Sequence, residues 1–477
     1  MKRSPVQGMP SAAPPGSLAP DIRLEALGIR PYALPLHQPW TSARGTRTER
    51  RGWLVEVRAA GLCGYGDCAP LPEAGTEGVA AAEARLRRWQ AQLPGHSLAD
   101  LLDLGRQDPY GAASVKPSRY PLGASSNAAS GDTTGASSSP ASGDTTDTSS
   151  TAASANATGS SSGALFADLG RTSPTPAARF ALESALSDLA ARLAGVPLRQ
   201  WLTSRAGDAV PVNATLGTLR DQTPARIVTA CQAGYQVLKL KVGLDAPETE
   251  LAHLRELATH LPPGASLRLD ANGAWDYDQA ARLIARLNDL PIESLEEPLK
   301  VPDWRSLASL QALARFPLAL DESLHQDPGN ILGRTGLPID RLLAAAQAVL
   351  SSNTASAGLL AGLSVDRLLA AGAPPVRRLV LKPAAVGGLR RTLFLARKAA
   401  DLGLEIVLTS LIESAAGLWP SLQLAAALSS SLAQGLATAS WLARDLGRVP
   451  DPRGGYILLG QDPGSGFVPT RLGKSDP

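Results

Sequence analysis

From residue 238 the chain reads LKLKVG (238–243), then LRLDAN (267–272), LEEP (295–298), LDES (320–323) and, after a longer interval, VLKP (380–383). Each is a short apolar run that closes on charged residues, and each is followed by a stretch rich in Ala, Leu and Arg with helical spacing. Short β-rich runs alternating with helices are the pattern of a parallel sheet or barrel. Strands are predicted at 211–216, 236–242, 266–270, 292–296, 318–321, 378–382 and 405–409. In a (β/α) barrel the C-terminal strand ends open on one face, where such enzymes carry their reacting groups. That geometry brings Lys239, Lys241, Asp270, Glu296, Asp321 and Lys382 to one place.

The three acids Asp270, Glu296 and Asp321 recur about one βα unit apart, so they are expected to converge on a single point. A hard oxygen set without His or Cys suits Mg²⁺. A metal bound to a substrate carboxylate stabilises the enediolate formed when a proton leaves the adjacent carbon, and a lysine amine can take that proton if its pKa falls from about 10.4. The cations expected to lower it are Lys239, Lys382 and the metal. Taken singly, an acid at a strand end is more often a helix cap and a lysine more often a surface charge. The argument lies in the repeat: five such residues fall in phase. Glu297, Glu322 and Glu413 read as partners that orient ligands and lysines.

Working outward, residues 1–20 are rich in Pro, Ser and Gly and lack the apolar core of a signal peptide, so they read as a disordered tail. Strands are expected at 24–35 and 52–59, a Gly/Pro-rich turn after them, and helices at 76–92 and 177–194. Between these helices, 123–164 is almost wholly Gly, Ala, Ser, Thr, Asn and Asp, with ASGDTT occurring twice, which marks a low-complexity insertion. The division expected is an α+β capping domain at 21–122 and 165–200, a barrel at 201–445 with a second insertion at about 326–370, and a C-terminal segment at 446–477 returning to the cap.

The chain has 477 residues, enough for two or three domains. Its three cysteines exclude a disulfide framework or a multi-cysteine metal site, and fit a reducing, cytoplasmic setting. Basic residues (46) and acidic residues (43) nearly cancel, and no basic run or aromatic-basic stripe exists, so a nucleic-acid partner is not expected. The long uncharged stretch 414–443 carries Pro, Gln and Ser and reads as soluble helix, so no membrane partner is expected either. The partner expected is a small-molecule substrate. Oligomeric state stays open, a monomer being plausible.

The motifs GYGDCAPLP (64–72), LKLKVG, LRLDANGAW, LEEPL, LDESL, LKPAAVGGL (381–389) and LTSLIESAAGL (408–418) resemble those of the enolase superfamily. Within it, LRLDAN together with TSLIES and the Asp of LDES is most similar to the o-succinylbenzoate synthase family of enterobacterial and cyanobacterial type. The resemblance implies an enolase-like (β/α)7β-type barrel with an α+β capping domain. It also implies a lyase that uses Mg²⁺ to dehydrate 2-succinyl-6-hydroxy-2,4-cyclohexadiene-1-carboxylate to 2-succinylbenzoate, in menaquinone or phylloquinone biosynthesis. It assigns Lys241 as the base, Lys382 as the cation facing it, and Asp270, Glu296 and Asp321 as metal ligands. Lys239, Arg268, Thr409 and Ser410 would border the substrate, and a loop around Arg44 and Arg47 would close over its succinyl arm. The alternatives are a racemase of N-acylamino acids or an epimerase of dipeptides, and a catalytically dead scaffold. Against the scaffold, no ligand of the set is missing.

Overall fold

Period-two alternation in VLKLK puts Leu238 and Leu240 on one side of a strand and Lys239 and Lys241 on the other. The leucines are fully buried. The same alternation in SLRLD buries Leu267 and Leu269 and turns Arg268 and Asp270 to the opposite side. In register, Lys239 pairs with Arg268 and Lys241 with Asp270, and Asp270 pairs in turn with Glu296. Polar residues of neighbouring strands are thereby stacked in layers inside a curled sheet.

The computed structural model describes residues 22–42, 45–104, 174–325 and 374–470. The tail at 1–20, the low-complexity stretch at 123–164, the insertion at about 326–370 and Arg44 lie outside the described residues. The first part is a three-stranded antiparallel sheet of β1 (Ala26–Ser42), β2 (Gly45–Ala59) and β3 (Leu62–Cys68), followed by α1 (Val79–Gln92) and α2 (Leu98–Leu104). Then come α3 (Pro176–Leu193) and the short α4 (Leu198–Leu202). This is the cap. Its core joins Val55, Val57, Leu86 and Trp89 to Ala181, Ala185 and Leu189 of α3.

The barrel follows. After β4 (Ala209–Pro211) the order is β5 (Ala214–Thr218), α5 (Pro224–Gln232), β6 (Val237–Lys241), α6 (Pro247–Ala258), β7 (Ser266–Asp270), α7 (Tyr277–Leu287), β8 (Ile292–Glu296), α8 (Trp304–Leu313) and β9 (Leu318–Leu320). The series resumes with β10 (Arg378–Leu381), α9 (Pro383–Val386), α10 (Leu389–Asp401), β11 (Glu405–Leu408) and α11 (Ala415–Leu428). Strands β5 to β11 form one parallel sheet in chain order. Both of its ends meet the extended pair Gln434–Gly435: Val212, leading into β5, bridges Gln434, and Thr409, leaving β11, bridges Gly435. The sheet closes on that segment in place of a regular eighth strand, so the enolase-like (β/α)7β-type barrel with an α+β cap is the observed architecture.

Helix starts are sequence-encoded: Asp276 and Gln279 form a capping box before α7, and Asp303 caps α8. Two expectations need correction. The GYGDC stretch, read as a turn, is strand β3, because Gly64 and Gly66 let it lie directly on α3. A Cβ on Gly66 would stand 2.0 Å from the Ala181 carbonyl oxygen. The run expected as one strand at 211–216 is two. Residues 209–211 pair antiparallel with β12 (Tyr456–Leu458), and the barrel strand starts only at Ala214. No helix among the described residues is long and apolar enough to cross a membrane.

Candidate active site

The strand ends and the cap enclose a cavity of about 310 Å³. Its floor is Lys239, Lys241, Asp270, Asn272, Asp321, Glu322 and Lys382 of the barrel, and its outer wall includes Trp40, Thr46, Arg47 and Arg50 of the cap. Thr409 and Ser410 line it as well, beside Leu411 and Ile412.

The three lysines stand in different environments. Lys239 Nζ lies 3.1 Å from Asp270 Oδ2 and hydrogen-bonds Glu296. Lys382 Nζ lies 2.7 Å from Asp321 Oδ2 and 3.0 Å from Glu322 Oε1. For both, burial alone would favour the neutral amine, but the facing carboxylates outweigh it and hold the ammonium well above the ordinary lysine range. Lys241 has no carboxylate within ion-pair distance among the described residues. It donates to Asn272 Oδ1 at 2.8 Å and lies 4.8 Å from the centre of the Trp40 ring. Burial is the main force pulling its pKa down, and the neighbouring Lys239 and Lys382 charges add to it. Lys241 is thus the one of the three suited to be an amine.

The acids do not converge on one point as expected. The Lys239 ammonium stands between Asp270 and Glu296, Lys382 holds Asp321, and among the described residues no three acids share a metal-sized gap. The donor set nonetheless fits a divalent cation. Five buried carboxylates, Asp270, Glu296, Glu297, Asp321 and Glu322, face only two firmly protonated lysines. Asp321 Oδ1 is buried without a hydrogen-bond partner. Burial first, then the Glu322 charge, drives the Asp321 carboxyl well upward, and burial raises Glu296 too, Asp270 adding to it while Lys239 opposes. A cation among hard oxygens relieves that strain.

Glu297 has its backbone at φ 45° and accepts from the Asp321 N–H at 2.6 Å and the Ser323 hydroxyl at 2.6 Å, which pins the loop bearing Asp321. Asn272 (φ 46°) and Ile412 (φ 58°) are also left-handed, so three of the five such non-glycine residues among the described residues follow strands at this face.

Arg268 is not on the cavity wall. Its guanidinium is buried below the floor, bidentate to Glu293 at 2.9 and 3.0 Å and donating to Asn213 and the Ala433 carbonyl. The alternation that places it inward puts it one layer beneath Asp270, where a neighbouring carboxylate claims it. Arg47 sits at the rim, paired with Glu73. Sequence reading missed Asn272, Trp40 and Arg50. Asn272 was detectable as the residue completing LRLDAN; the two cap residues carry no local signal, because only tertiary closure brings β1 and β2 over the strand ends.

Residues 26–102 match the family described as MenC, N-terminal domain, and residues 223–328 match the Enolase C-terminal domain-like family. The o-succinylbenzoate synthase of Thermosynechococcus vestitus is 29% identical over 62% of this chain and 67% of its own length. The L-Lys-D/L-Arg epimerase of Methylococcus capsulatus is 37% identical over 32% of this chain and 43% of its own length, so the chain spans less than half of that relative. The crystal structure of a dipeptide epimerase from Enterococcus faecalis, complexed with Mg and the dipeptide L-Leu-L-Tyr, superposes with a TM-score of 0.66 over 93% of this chain and 99% of that one, at 20% identity.

Proposed function

We propose that the chain is an enolase-superfamily enzyme of the o-succinylbenzoate synthase type, converting 2-succinyl-6-hydroxy-2,4-cyclohexadiene-1-carboxylate to 2-succinylbenzoate, a reading supported by its matches to the MenC, N-terminal domain and Enolase C-terminal domain-like families. The observation that carries this reading is the character of the cavity wall. Two guanidinium groups, Arg47 and Arg50, stand on the cap side, and every carboxylate among the described lining residues is engaged by a lysine or an arginine. On that cap side a substrate whose distal end is anionic meets two guanidinium groups, whereas the free ammonium of a dipeptide meets only Glu73, already paired with Arg47.

Asp270, Glu296 and Asp321 are the residues that would hold a divalent cation, Mg²⁺ on the argument from hard oxygen donors. Bound there, the cation would supply positive charge to the substrate carboxylate as negative charge builds on it. Lys241, as the neutral amine, takes the proton from the carbon bearing the ring carboxylate, and the C–H electron pair moves toward that carboxylate. The same nitrogen, now an ammonium beside the Trp40 face, gives the proton to the departing hydroxyl. Water leaves as the C–O bond breaks and the ring becomes aromatic. Lys382 stays protonated and faces the developing charge. Thr409 and Ser410 contact the substrate, and Lys239 holds Asp270 and Glu296 in place. Arg47 and Arg50 bind the succinyl carboxylate while the cap excludes water.

Epimerisation of a dipeptide or an N-acylamino acid is the second reading, favoured by two lysines at one cavity, since each can serve one face of a carbon. Purified protein with Mg²⁺ and the cyclohexadiene substrate decides between them. Growth of the aromatic absorbance of succinylbenzoate supports the dehydration. No such growth, with deuterium entering the α-carbon of a dipeptide in heavy water, replaces it by the epimerase.

A further inference from the structure

The loop that makes one wall of the cavity runs from Thr409 to Ser414, and its Glu413 takes no part in the chemistry above. Glu413 is 2% exposed. One carboxylate oxygen accepts the Leu411 N–H at 2.7 Å; the other, Oε1, is buried with no hydrogen-bond partner. The side chain lies at the seam between barrel and cap. Gly417 of α11 is the surface on which it meets the cap's Asp67: a Cβ there would stand 2.8 Å from the Glu413 Cβ and 3.0 Å from the Asp67 Cβ. Around it, the Ser414 N–H and hydroxyl donate to Asp67 at 2.7 and 2.8 Å, Tyr32 donates to Asp67 at 2.6 Å, and Asp445 accepts from the Ala415 N–H at 2.8 Å. Among the described residues one cation faces this group: Arg50, whose guanidinium donates to the Ile412, Ala69 and Pro70 carbonyls and so ties the same wall to the cap.

Three acids thus share one buried seam with one guanidinium. Asp67 is the best provided with donors, and Asp445 accepts from Ala415 and Leu446. Glu413 has the fewest for its burial. We propose that Glu413 is a positioning residue acting as a proton-operated latch: with its carboxyl neutral the wall Thr409–Ile412 packs against the cap, and with it ionised that wall loosens and substrate is held less tightly. The statement about substrate rests on reading this cavity as the substrate site; the statement about the wall does not.

The electrostatics agree in sign. Burial pushes the Glu413 carboxyl up to about 7, with the Asp67 charge adding to it and its own N–H, Arg50 and the Leu411 N–H opposing. An unfolded Glu titrates near about 4.3, so the packed wall gains from holding the proton; that gain is complete below the unfolded value and is lost as pH rises through about 7. The other titratable neighbours are the Tyr32 hydroxyl and the Cys68 thiol. Both are pushed upward by burial first and then by facing carboxylates, and they stay neutral over the window. Burial also pushes the Asp67 carboxyl up and brings Asp445 to about 6, at the lower edge of the same range, so the comparison with a neutral residue 413 at each pH isolates the Glu413 contribution.

The test is hydrogen exchange of the full chain, read on the peptide covering 409–417, for wild type and Glu413→Gln at the same pH so that intrinsic rates cancel. Near about pH 6 the two exchange alike; near about pH 8.5 the wild type exchanges about five-fold faster, as ionisation opens the seam. Equal rates at both pH values overturn the latch. Glu413→Met, also uncharged and of similar length, gives the same comparison if Glu413→Gln does not fold. With turnover as a second readout, the wild-type KM for the cyclohexadiene substrate rises several-fold across that range while kcat follows the Lys241 titration. The neutral variants keep KM flat. Absence of succinylbenzoate formation leaves the exchange comparison standing, so failure of the reaction and failure of the latch are separate results.

Discussion

Toward the N-terminal end of the barrel strands, Arg268, Glu293, Arg378 and Glu405 form an unbroken chain of ion pairs; toward the C-terminal end, Lys239 and Lys382 face five buried carboxylates. Both groups lie at the same sheet, and Arg268, Glu293 and Arg378 are buried much as the upper group is, while Glu405 reaches solvent. Below the floor, Glu293 receives Arg268 bidentately, Arg378 at 2.5 Å and the Ser294 hydroxyl at 2.7 Å. Burial pushes its carboxyl up, but the two guanidinium charges overcome that and bring it down to about 2. Above, Glu296 and Asp321 are driven the other way. Buried charge that is fully paired tells of structure; buried charge with its partners too few tells of a site that waits for a ligand.

The largest expected effect is at the underpaired end. Lys241→Ala removes the group that moves the proton, and kcat falls by about 10² to 10⁴ while circular dichroism and cation binding stay as they are. A rate within about ten-fold of wild type would remove Lys241 from the mechanism.

Next, Asp270→Asn, Glu296→Gln and Asp321→Asn are each expected to weaken Mg²⁺ binding, by at least the roughly 10- to 100-fold that groups behind the ligands are worth. Calorimetric titration reads this directly. Unchanged affinity in all three would show that the carboxylates do not hold a cation.

At the paired end the prediction reverses: Glu293→Gln leaves two guanidinium groups in the interior with half their compensation. Stability falls by about 3 kcal/mol, measured by urea unfolding, with kcat of the folded enzyme unchanged. The pH dependence sharpens this. Because the folded carboxyl is depressed, its contribution is present above about 4.3 and fades as pH falls toward about 2, so wild type and variant converge in acid. A loss of kcat equal to the loss seen in the Lys241 variant would collapse the distinction between the two ends.

The smallest effect is expected outside both. Deleting residues 123–164 and joining the ends by a short linker changes rate and melting temperature little, since closure entropy depends only logarithmically on length. Loss of folded protein would show that this stretch packs on the cap.

Much of the barrel face was legible in the sequence because each signal is local. LKLK writes its own alternation, and an acid at the end of an apolar run marks the C-terminal face wherever a parallel barrel forms. Arg268 shows the limit of that reading. It has the same parity as Asp270, and only the register against β8, with its irregularity beside Arg268, decides that Glu293 binds it beneath the floor. Strand β3 was read as a turn for a related reason: glycines are turn formers unless a helix lies against them, and Ala181 and Ala185 come from more than a hundred residues away.

By itself, then, the sequence determined the alternation of strands and helices in the barrel, the set of lysines and acids at the strand ends and the family they resemble, because all of these follow from residue type and short-range periodicity. The tertiary structure alone decided which lysine stands without a carboxylate, which arginine faces the cavity and which lies under it, and that Trp40 and Arg50 of the cap complete the wall. These depend on desolvation and on contacts between segments far apart in the chain, as with Arg50 and Ile412, and neither quantity exists until the cap has closed on the barrel.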